Sequence, residues 1–435
     1  MKKTIFSLIF TVFAAAVLHA QHWPGWRGPR GTGVSSETTF PVSWDASNIR
    51  WKTPIPGRGH SSPIVWGDRI FLTTSIEGDV VPGREKKPKH MLGSQVFIHP
   101  DMVSHDRRQT MKVIGLDAKS GRILWERTAY DGPMADGRHR KSSFASSTPV
   151  TDGKTVFVFF GTEGLYAYDF DGALKWKQDL GEIRTLGLGY ATSPVLFGTV
   201  VIVQCDEDNG EKSFIAAFDE ATGKQVWRQT RKVQSSWATP VLVDAGGRTE
   251  LVAGGAEFTI AYNPATGKEL WRTKGVESNA IPSPVYGNGI VYMTAGYPTK
   301  AVLAVGRNVS SGNEPKILWA HARGTAYVPS PILVGDSLYL TTDRGLLTNL
   351  DAKTGEMRYE GGRVPVPATF TASLVGFGDK ILQASEDGDV FVIQAGPEHK
   401  VIATNKLGEP IFASPALSNG VIYIRGERHL YAIRK

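Results

Sequence analysis

Leu116-Asp117-Ala118-Lys119-Ser120-Gly121-Arg122-Ile123-Leu124-Trp125 is the stretch on which the fold turns. A run of β-formers ends in an apolar residue and Asp, a Gly-centred turn follows, and a second run closes on Trp. Two strands joined by such a turn make a hairpin. The pattern recurs. The Asp-terminated run returns at Ala167-Tyr168-Asp169, Ala217-Phe218-Asp219 and Asn349-Leu350-Asp351. The turn returns at Ala221-Thr222-Gly223-Lys224 and Ala265-Thr266-Gly267-Lys268, and the closing aromatic at Trp176, Trp227, Trp271, Trp319 and Tyr359.

Outward from these hairpins stands a second repeated phrase, Ser or Thr followed by Pro. It occurs at Ser62-Pro63, Thr148-Pro149, Ser193-Pro194, Thr239-Pro240, Ser283-Pro284, Ser330-Pro331 and Ser414-Pro415, with Ser373-Leu374 as the eighth copy. From Pro149 on, the steps are 45, 46, 44, 47, 43 and 41 residues; the first step, 86, carries an insertion over 75–111. Each phrase opens two further β-rich runs, so one period holds four strands. A four-stranded antiparallel sheet needs cover on both faces. Radial repetition supplies that cover and keeps exposed edges short. The expectation is all-β: an eight-bladed β-propeller of four-stranded antiparallel blades over residues 48–435, after a tail at 21–47.

The eighth unit has room for three strands only. Asn48-Ile49-Arg50-Trp51-Lys52 reads as the missing fourth and closes the ring. Trp51, Trp125, Trp176, Trp227, Trp271 and Trp319 occupy one repeat position. They are assigned to packing between blades, each indole N–H finding a backbone acceptor. Gly numbers 48 in 435 residues, against about 7% in an average protein, which suits a chain of many turns.

Lys2 and Lys3, then an uncharged apolar run over 5–18 and Ala20, have the shape of a signal peptide at 1–20 cleaved near Ala20. That predicts a periplasmic or secreted protein with no transmembrane segment in the mature chain. Cys205 is the single cysteine. It excludes a disulfide framework and a Cys-based zinc site, and no cysteine near residue 20 offers a lipid anchor, so a lipoprotein is not expected. The formal charge of +7 admits an anionic partner. Nucleic acid is not expected, because the basic residues are interspersed with carboxylates and the chain is exported. The chain reads as a monomer.

The 116–125 phrase and its copies resemble the pyrroloquinoline-quinone-type propeller repeat, over essentially all of 44–435. Trp23-Pro24-Gly25-Trp26-Arg27-Gly28-Pro29 and Trp44 also look like the opening of secreted bacterial propellers of this superfamily. The resemblance implies two branches. Quinoprotein dehydrogenases hold the quinone with a calcium ion, and alcohol-oxidising members often carry adjacent cysteines over it. The propeller lipoprotein of outer-membrane protein assembly binds no quinone and acts as a scaffold. This chain has neither adjacent cysteines nor a Glu–Asn–Asp calcium set at matched spacing. Pyrroloquinoline quinone with calcium is therefore the alternative cofactor reading, and no cofactor is the primary one.

Loops entering the innermost strands form one mouth of a propeller. Here they precede each Ser/Thr-Pro and are rich in rings: His60, Tyr190, Trp237, Tyr327, Phe370 and Phe412. Such rings stack on a sugar, a quinone or a peptide side chain. Arg138, His139, Arg140 and Lys141 lead into the second blade and offer donors to a carboxylate or phosphate, with Arg184 and Arg323 able to add to them. The insertion, expected without regular structure, brings His99, Asp101, His105 and Asp106. Asp206 and Asp208, in Asp206-Glu207-Asp208-Asn209-Gly210-Glu211, are the candidate calcium ligands. No nucleophile elbow or phosphate loop occurs, so no catalytic residue is assigned. The function read from the sequence is a non-catalytic binding scaffold for protein or glycan partners. The alternatives are a quinoprotein dehydrogenase of alcohols or sugars and a carbohydrate-active enzyme at the mouth.

Overall fold

The computed structural model describes residues 22–435 except 104, 278 and 308–313; the expected leader lies outside the described residues. The architecture is all-β, an eight-bladed propeller. Blade 1 pairs Ile64–Trp66, Arg69–Val80, Arg107–Asp117 and Ile123–Pro133 in that order, and blade 2 pairs Val150–Thr151, Thr155–Phe159, Leu165–Asp169 and Leu174–Gln178. Blades 3 to 7 repeat the arrangement. Blade 8 takes Ala416–Ser418, Val421–Arg425 and His429–Ile433 from the C-terminus and Ile49–Pro54 from the N-terminus. The inner strands of blades 1 and 8 touch, so the ring is closed.

Two sequence features explain how the blades lock. The first is the pairing of Trp with a small residue. Trp125 stands opposite Gly115, Trp176 opposite Ala167, Trp227 opposite Ala217, Trp271 opposite Ala261 and Trp319 opposite Ala304. A Cβ on Gly115 would lie 2.4 Å from Trp125. Each indole then reaches the turn of the next blade: Trp51 Nε1 donates to Ala118 O (3.1 Å), Trp125 to Phe170 O (2.8 Å), Trp176 to Glu220 O (3.0 Å), Trp227 to Pro264 O (3.0 Å) and Trp319 to Ala352 O (3.2 Å). Trp271 departs from the expected backbone acceptor. It donates to the Glu250 carboxylate (2.7 Å), which also takes Arg307 Nη2 at 2.7 Å.

The second feature is the Ser/Thr before the Pro. The amide of this residue in one blade donates to the hydroxyl of its counterpart in the next: Ser62 to Thr148 (3.0 Å), Thr148 to Ser193 (3.0 Å), Ser193 to Thr239 (2.9 Å), Thr239 to Ser283 (3.2 Å), Ser283 to Ser330 (3.0 Å), Ser330 to Ser373 (2.9 Å) and Ser373 to Ser414 (2.9 Å). The belt stops at the joint of blades 8 and 1, where Ser62 Oγ is buried without a hydrogen-bond partner among the described residues. There Arg425 of blade 8 donates from Nη1 to Thr73 O (2.6 Å) and Ser61 Oγ (2.8 Å) of blade 1.

The tail is part of the ring. Trp23 exchanges backbone hydrogen bonds with Val65 in blade 1, Thr151 N in blade 2 donates to Pro24 O, and Val34–Ser35 pairs parallel with Val375–Phe377 in blade 7. Buried Arg27 donates to Pro331 O (2.6 Å). The segment thus crosses the axis and touches inner strands around it.

The insertion is more regular than the sequence suggested. The second and third strands of blade 1 run on past the blade, pairing Ser75 with Met111, Ile76 with Thr110 and Val80 with Arg107. His90–Leu92 and Gln95–Phe97 form a separate hairpin, and Met102–Val103 pairs with Arg138–His139. Polar residues in this stretch masked a strand period that cross-strand hydrogen bonds still satisfy.

Candidate binding site at the propeller mouth

The residue three before each repeat Pro or Leu374 faces the axis. All eight, His60, Ser146, Ala191, Trp237, Ile281, Val328, Thr371 and Phe412, line one cavity of about 560 Å³. The reason is the period of an extended chain, in which alternate residues share a side. The belt residues Thr239, Ser283, Ser330, Ser373 and Ser414, two positions further on, line it too. Most residues four before the Pro point into the blades instead. Tyr190 is one: its hydroxyl lies 2.8 Å from Thr162 Oγ1, and it does not reach the cavity. Tyr327 and the fully buried Phe370 are the exceptions and do line it.

The tail closes the floor. Trp26 lines the cavity, and its Nε1 donates to Ser283 Oγ at 2.9 Å. The insertion and the basic cluster build one wall: His99, Pro100, Asp101, His139, Arg140 and Lys141. Arg138 is turned away, over the Phe144 ring (5.6 Å) and donating to Ser142 O. Arg184 and Arg323 lie outside the cavity lining, 3.6 Å from Glu182 and 3.7 Å from Glu360.

Four of the mouth charges are paired with one another, while the Asp343 carboxylate has no ion-pair partner among the described residues. Arg140 Nε lies 2.8 Å from Asp101 Oδ1. Lys141 Nζ crosses to Glu386 Oε2 at 2.8 Å, and Thr371 Oγ1 donates to Glu386 Oε1 at 2.6 Å. The mouth environment favours the neutral form of its histidines. Burial, then the Arg58, Arg425 and Arg138 charges, hold His60 well below the usual histidine range. Burial likewise lowers His99 and His139. His60 stacks on Phe412, ring centroids 4.6 Å apart at 10°, and its buried Nε2 has no hydrogen-bond partner among the described residues.

Trp26, Asn279, Tyr297, Asp343 and Glu386 line the cavity without having been singled out as site residues. Asp343 and Glu386 sit in the Asp343-Arg344-Gly345 and Glu386-Asp387-Gly388 turns. A turn between second and third strands lies at the same end of a blade as the loop entering the first strand, and that rule would have found both.

The two candidate calcium ligands serve different partners. Asp206 is buried against Arg231 Nε (2.8 Å) and takes Gln204 Nε2 (2.7 Å) and the Ser236 hydroxyl. Asp208 takes His90 Nδ1 at 2.7 Å and the Leu186 amide. Among the described residues no three His, Cys, Asp or Glu side chains gather to hold a metal ion. Cys205 is buried. No described helix is long and apolar enough to cross a membrane.

Comparison with known proteins places this geometry among relatives. The family model described as outer membrane protein assembly factor BamB matches residues 109–360. The outer membrane protein assembly factor BamB of Burkholderia pseudomallei is 29% identical over 103 residues, 24% of this chain and 26% of that protein. The tetrathionate hydrolase of Acidithiobacillus ferrooxidans is 28% identical over 358 residues, 78% of this chain and 60% of that protein. The chain thus spans less than two thirds of either curated relative. Among solved structures, BamB from Moraxella catarrhalis superposes with a TM-score of 0.57 at 16% identity, covering 84% of this chain and 97% of that one. A europium-containing methanol dehydrogenase gives 0.64 at 12% identity, covering 95% and 91%. At these identities the structures share the fold alone.

Proposed function

Because the chain belongs to the family of the outer membrane protein assembly factor BamB, we propose that it is a non-catalytic binding scaffold of the periplasm or cell exterior that receives a segment of a protein partner in its mouth. The observation that carries this reading is the convergence of eight equivalent side chains on one floored cavity. A volume of about 560 Å³ is within the range of ligand sites, and it admits one or two side chains of an inserted loop. Rings at the rim and floor supply apolar contact, and Asn279 and Ser146 supply polar contact.

The donor set supports a function without quinone and calcium. A divalent cation needs several free oxygen ligands; Asp101 and Glu386 are each held by a cation of the chain, which leaves Asp343 as the one cavity-lining carboxylate without an ion pair among the described residues. The same pairing speaks against a pair of catalytic carboxylates for glycoside chemistry. A glycan is the second reading, favoured by the exposed Tyr297 ring 5.9 Å from Tyr327, since sugar rings stack on aromatic faces.

The test is site-specific photo-crosslinking in the producing cell. Benzoylphenylalanine at Tyr327 gives a discrete protein adduct, and at Lys224, on an outer turn, gives none. Titration of the purified protein with pyrroloquinoline quinone and calcium is the counter-test. Saturable, calcium-dependent binding by calorimetry overturns the scaffold reading.

A further inference from the structure

The outer face of the insertion hairpin carries an unusual surface. Five of the ten large apolar side chains exposed among the described residues fall between 80 and 98: Val80 51%, Met91 45%, Leu92 42%, Val96 63% and Ile98 44%. Isolated exposed apolar residues need no explanation, but a cluster does. The register shows how it forms. His90 pairs with Phe97 and Met91 with Val96. His90 is buried and Phe97 half-buried, so their side faces the protein; Met91 and Val96 occupy the other side and face solvent. Gly93 makes the tip with φ +62°, and Leu92 stands beside it.

Charge surrounds the patch. Lys86, Lys87 and Lys89 are exposed just before the first strand, and Glu85 is the one carboxylate among them, 3.8 Å from Lys89. Arg84 is turned inward, donating to His105 O and Met134 O. The Asn209 side chain accepts from the tip amide of Gly93, which brings Glu207 and Glu211 near; Glu207 accepts from the backbone amides of Asn209 and Lys212.

The hairpin is also held firmly. His90 lies between Asp208 (2.7 Å) and Asp136 (3.1 Å), which tie it to blade 3 and to the loop after blade 1. A rigid apolar edge beside three lysines is complementary to one surface above others: apolar below and anionic at the boundary.

We propose that this hairpin docks the protein on an anionic lipid leaflet, with Met91, Leu92, Val96 and Ile98 entering the headgroup boundary and Lys86, Lys87 and Lys89 meeting lipid phosphates. Phe97 packs edge-on against His99, 5.9 Å between centroids, and His99 lines the mouth. Docking therefore sets the mouth beside the membrane, whatever the mouth itself binds.

Vesicle flotation tests the proposal, using the mature chain with vesicles of phosphatidylethanolamine and phosphatidylglycerol at low salt, and phosphatidylcholine vesicles as control. The wild type floats with the anionic vesicles and not with the neutral ones. K86E/K87E/K89E, on exposed side chains that leave the fold intact, loses binding by about tenfold or more. M91S/V96S/I98S loses it to a similar degree with an unchanged melting temperature. No flotation of the wild type, or equal flotation of all three proteins, overturns the proposal. So does binding of an acidic peptide to the hairpin without any vesicle binding, which assigns the surface to a protein partner.

Discussion

Trp51 lies flat against Gly121, and the two belong to opposite ends of the ring's closure. Trp51 is on the N-terminal strand that completes blade 8; Gly121 is in the hairpin turn of blade 1. Gly121 has φ +72°, and a Cβ there would stand 2.5 Å from the Trp51 ring. Thr53 Oγ1 adds a hydrogen bond to Gly121 O at 2.7 Å. The repeat copies this contact, with Gly172 on Trp125, Gly223 on Trp176, Gly267 on Trp227 and Gly355 on Trp319. The Gly of the turn and the Trp of the strand are therefore one device, split between neighbouring blades.

Breaking that device at the closure should weaken the whole ring. Trp51→Ala removes a large half-buried ring and its bond to Ala118, at a cost of roughly 2–4 kcal/mol, somewhat below that of a fully buried Trp. Gly121→Ala meets both the left-handed backbone and the indole, and costs roughly 2–4 kcal/mol. Urea unfolding followed by tryptophan fluorescence measures both. One cooperative transition shifted as a unit is expected. A separate early transition confined to blade 8 would show that the N-terminal strand does not close the ring.

The hydroxyl belt predicts a sharper contrast. Ser193→Ala leaves the buried Thr148 amide without its acceptor and costs about 1–3 kcal/mol. Ser193→Thr keeps the oxygen, as Thr148 and Thr239 do at equivalent joints, and costs less than Ser193→Ala, the added methyl being its one burden at this buried site. Thermal unfolding of the pair decides whether the hydroxyl or the shape of the residue matters.

The belt and the Trp–Gly device were legible because they recur: the period, the count of eight blades and the closing strand all follow from repeated residues. The mouth was half legible. Its register, three residues before the Pro, could be read directly from the alternation of an extended chain. Its partners could not. Lys141 and Glu386 meet across the axis from blades far apart in sequence, and nothing local foretells such a pair. Asp206 and Asp208 looked like one ligand loop because they alternate, yet the chain leaves the strand at Cys205 and turns at Asp208, so each carboxylate finds its own partner. Arg231 and His90 are distant in sequence and became visible only when the blades packed.

The Asp206–Arg231 pair gives a test of that difference. Both side chains are fully buried and 2.8 Å apart. Asp206→Ala leaves a buried guanidinium without its carboxylate, at a cost of about 3–5 kcal/mol. A calcium loop would respond to metal instead, so millimolar calcium or a chelator should leave the melting temperature of the wild type unchanged. A calcium-dependent rise that Asp206→Ala abolishes would restore the ligand reading.

The clamp on the insertion should answer to pH, and its sign can be worked out. His90 gains two carboxylate partners in the fold, and although burial opposes the charge, Asp136 and Asp208 raise its pKa to about 9. A group raised on folding contributes fully below its unfolded value, about 6.5, and loses that contribution as pH rises through the folded one. Asp136 is shifted the other way by His90 and the Thr185 and Gly137 amides, despite its burial, so its contribution falls away only in acid. The insertion should therefore be most protected from about pH 5 to pH 7 and open progressively towards pH 9.5 while the blades stay folded. Hydrogen exchange of peptides spanning 86–103, at pH 6.5 and 9.5 with rates corrected for intrinsic exchange, measures this. His90→Gln, which keeps a hydrogen-bonding side chain but carries no charge, should exchange fast at both values. Protection in the variant equal to that of the wild type at pH 6.5 would mean that strand pairing alone, without the buried charge, fixes the hairpin.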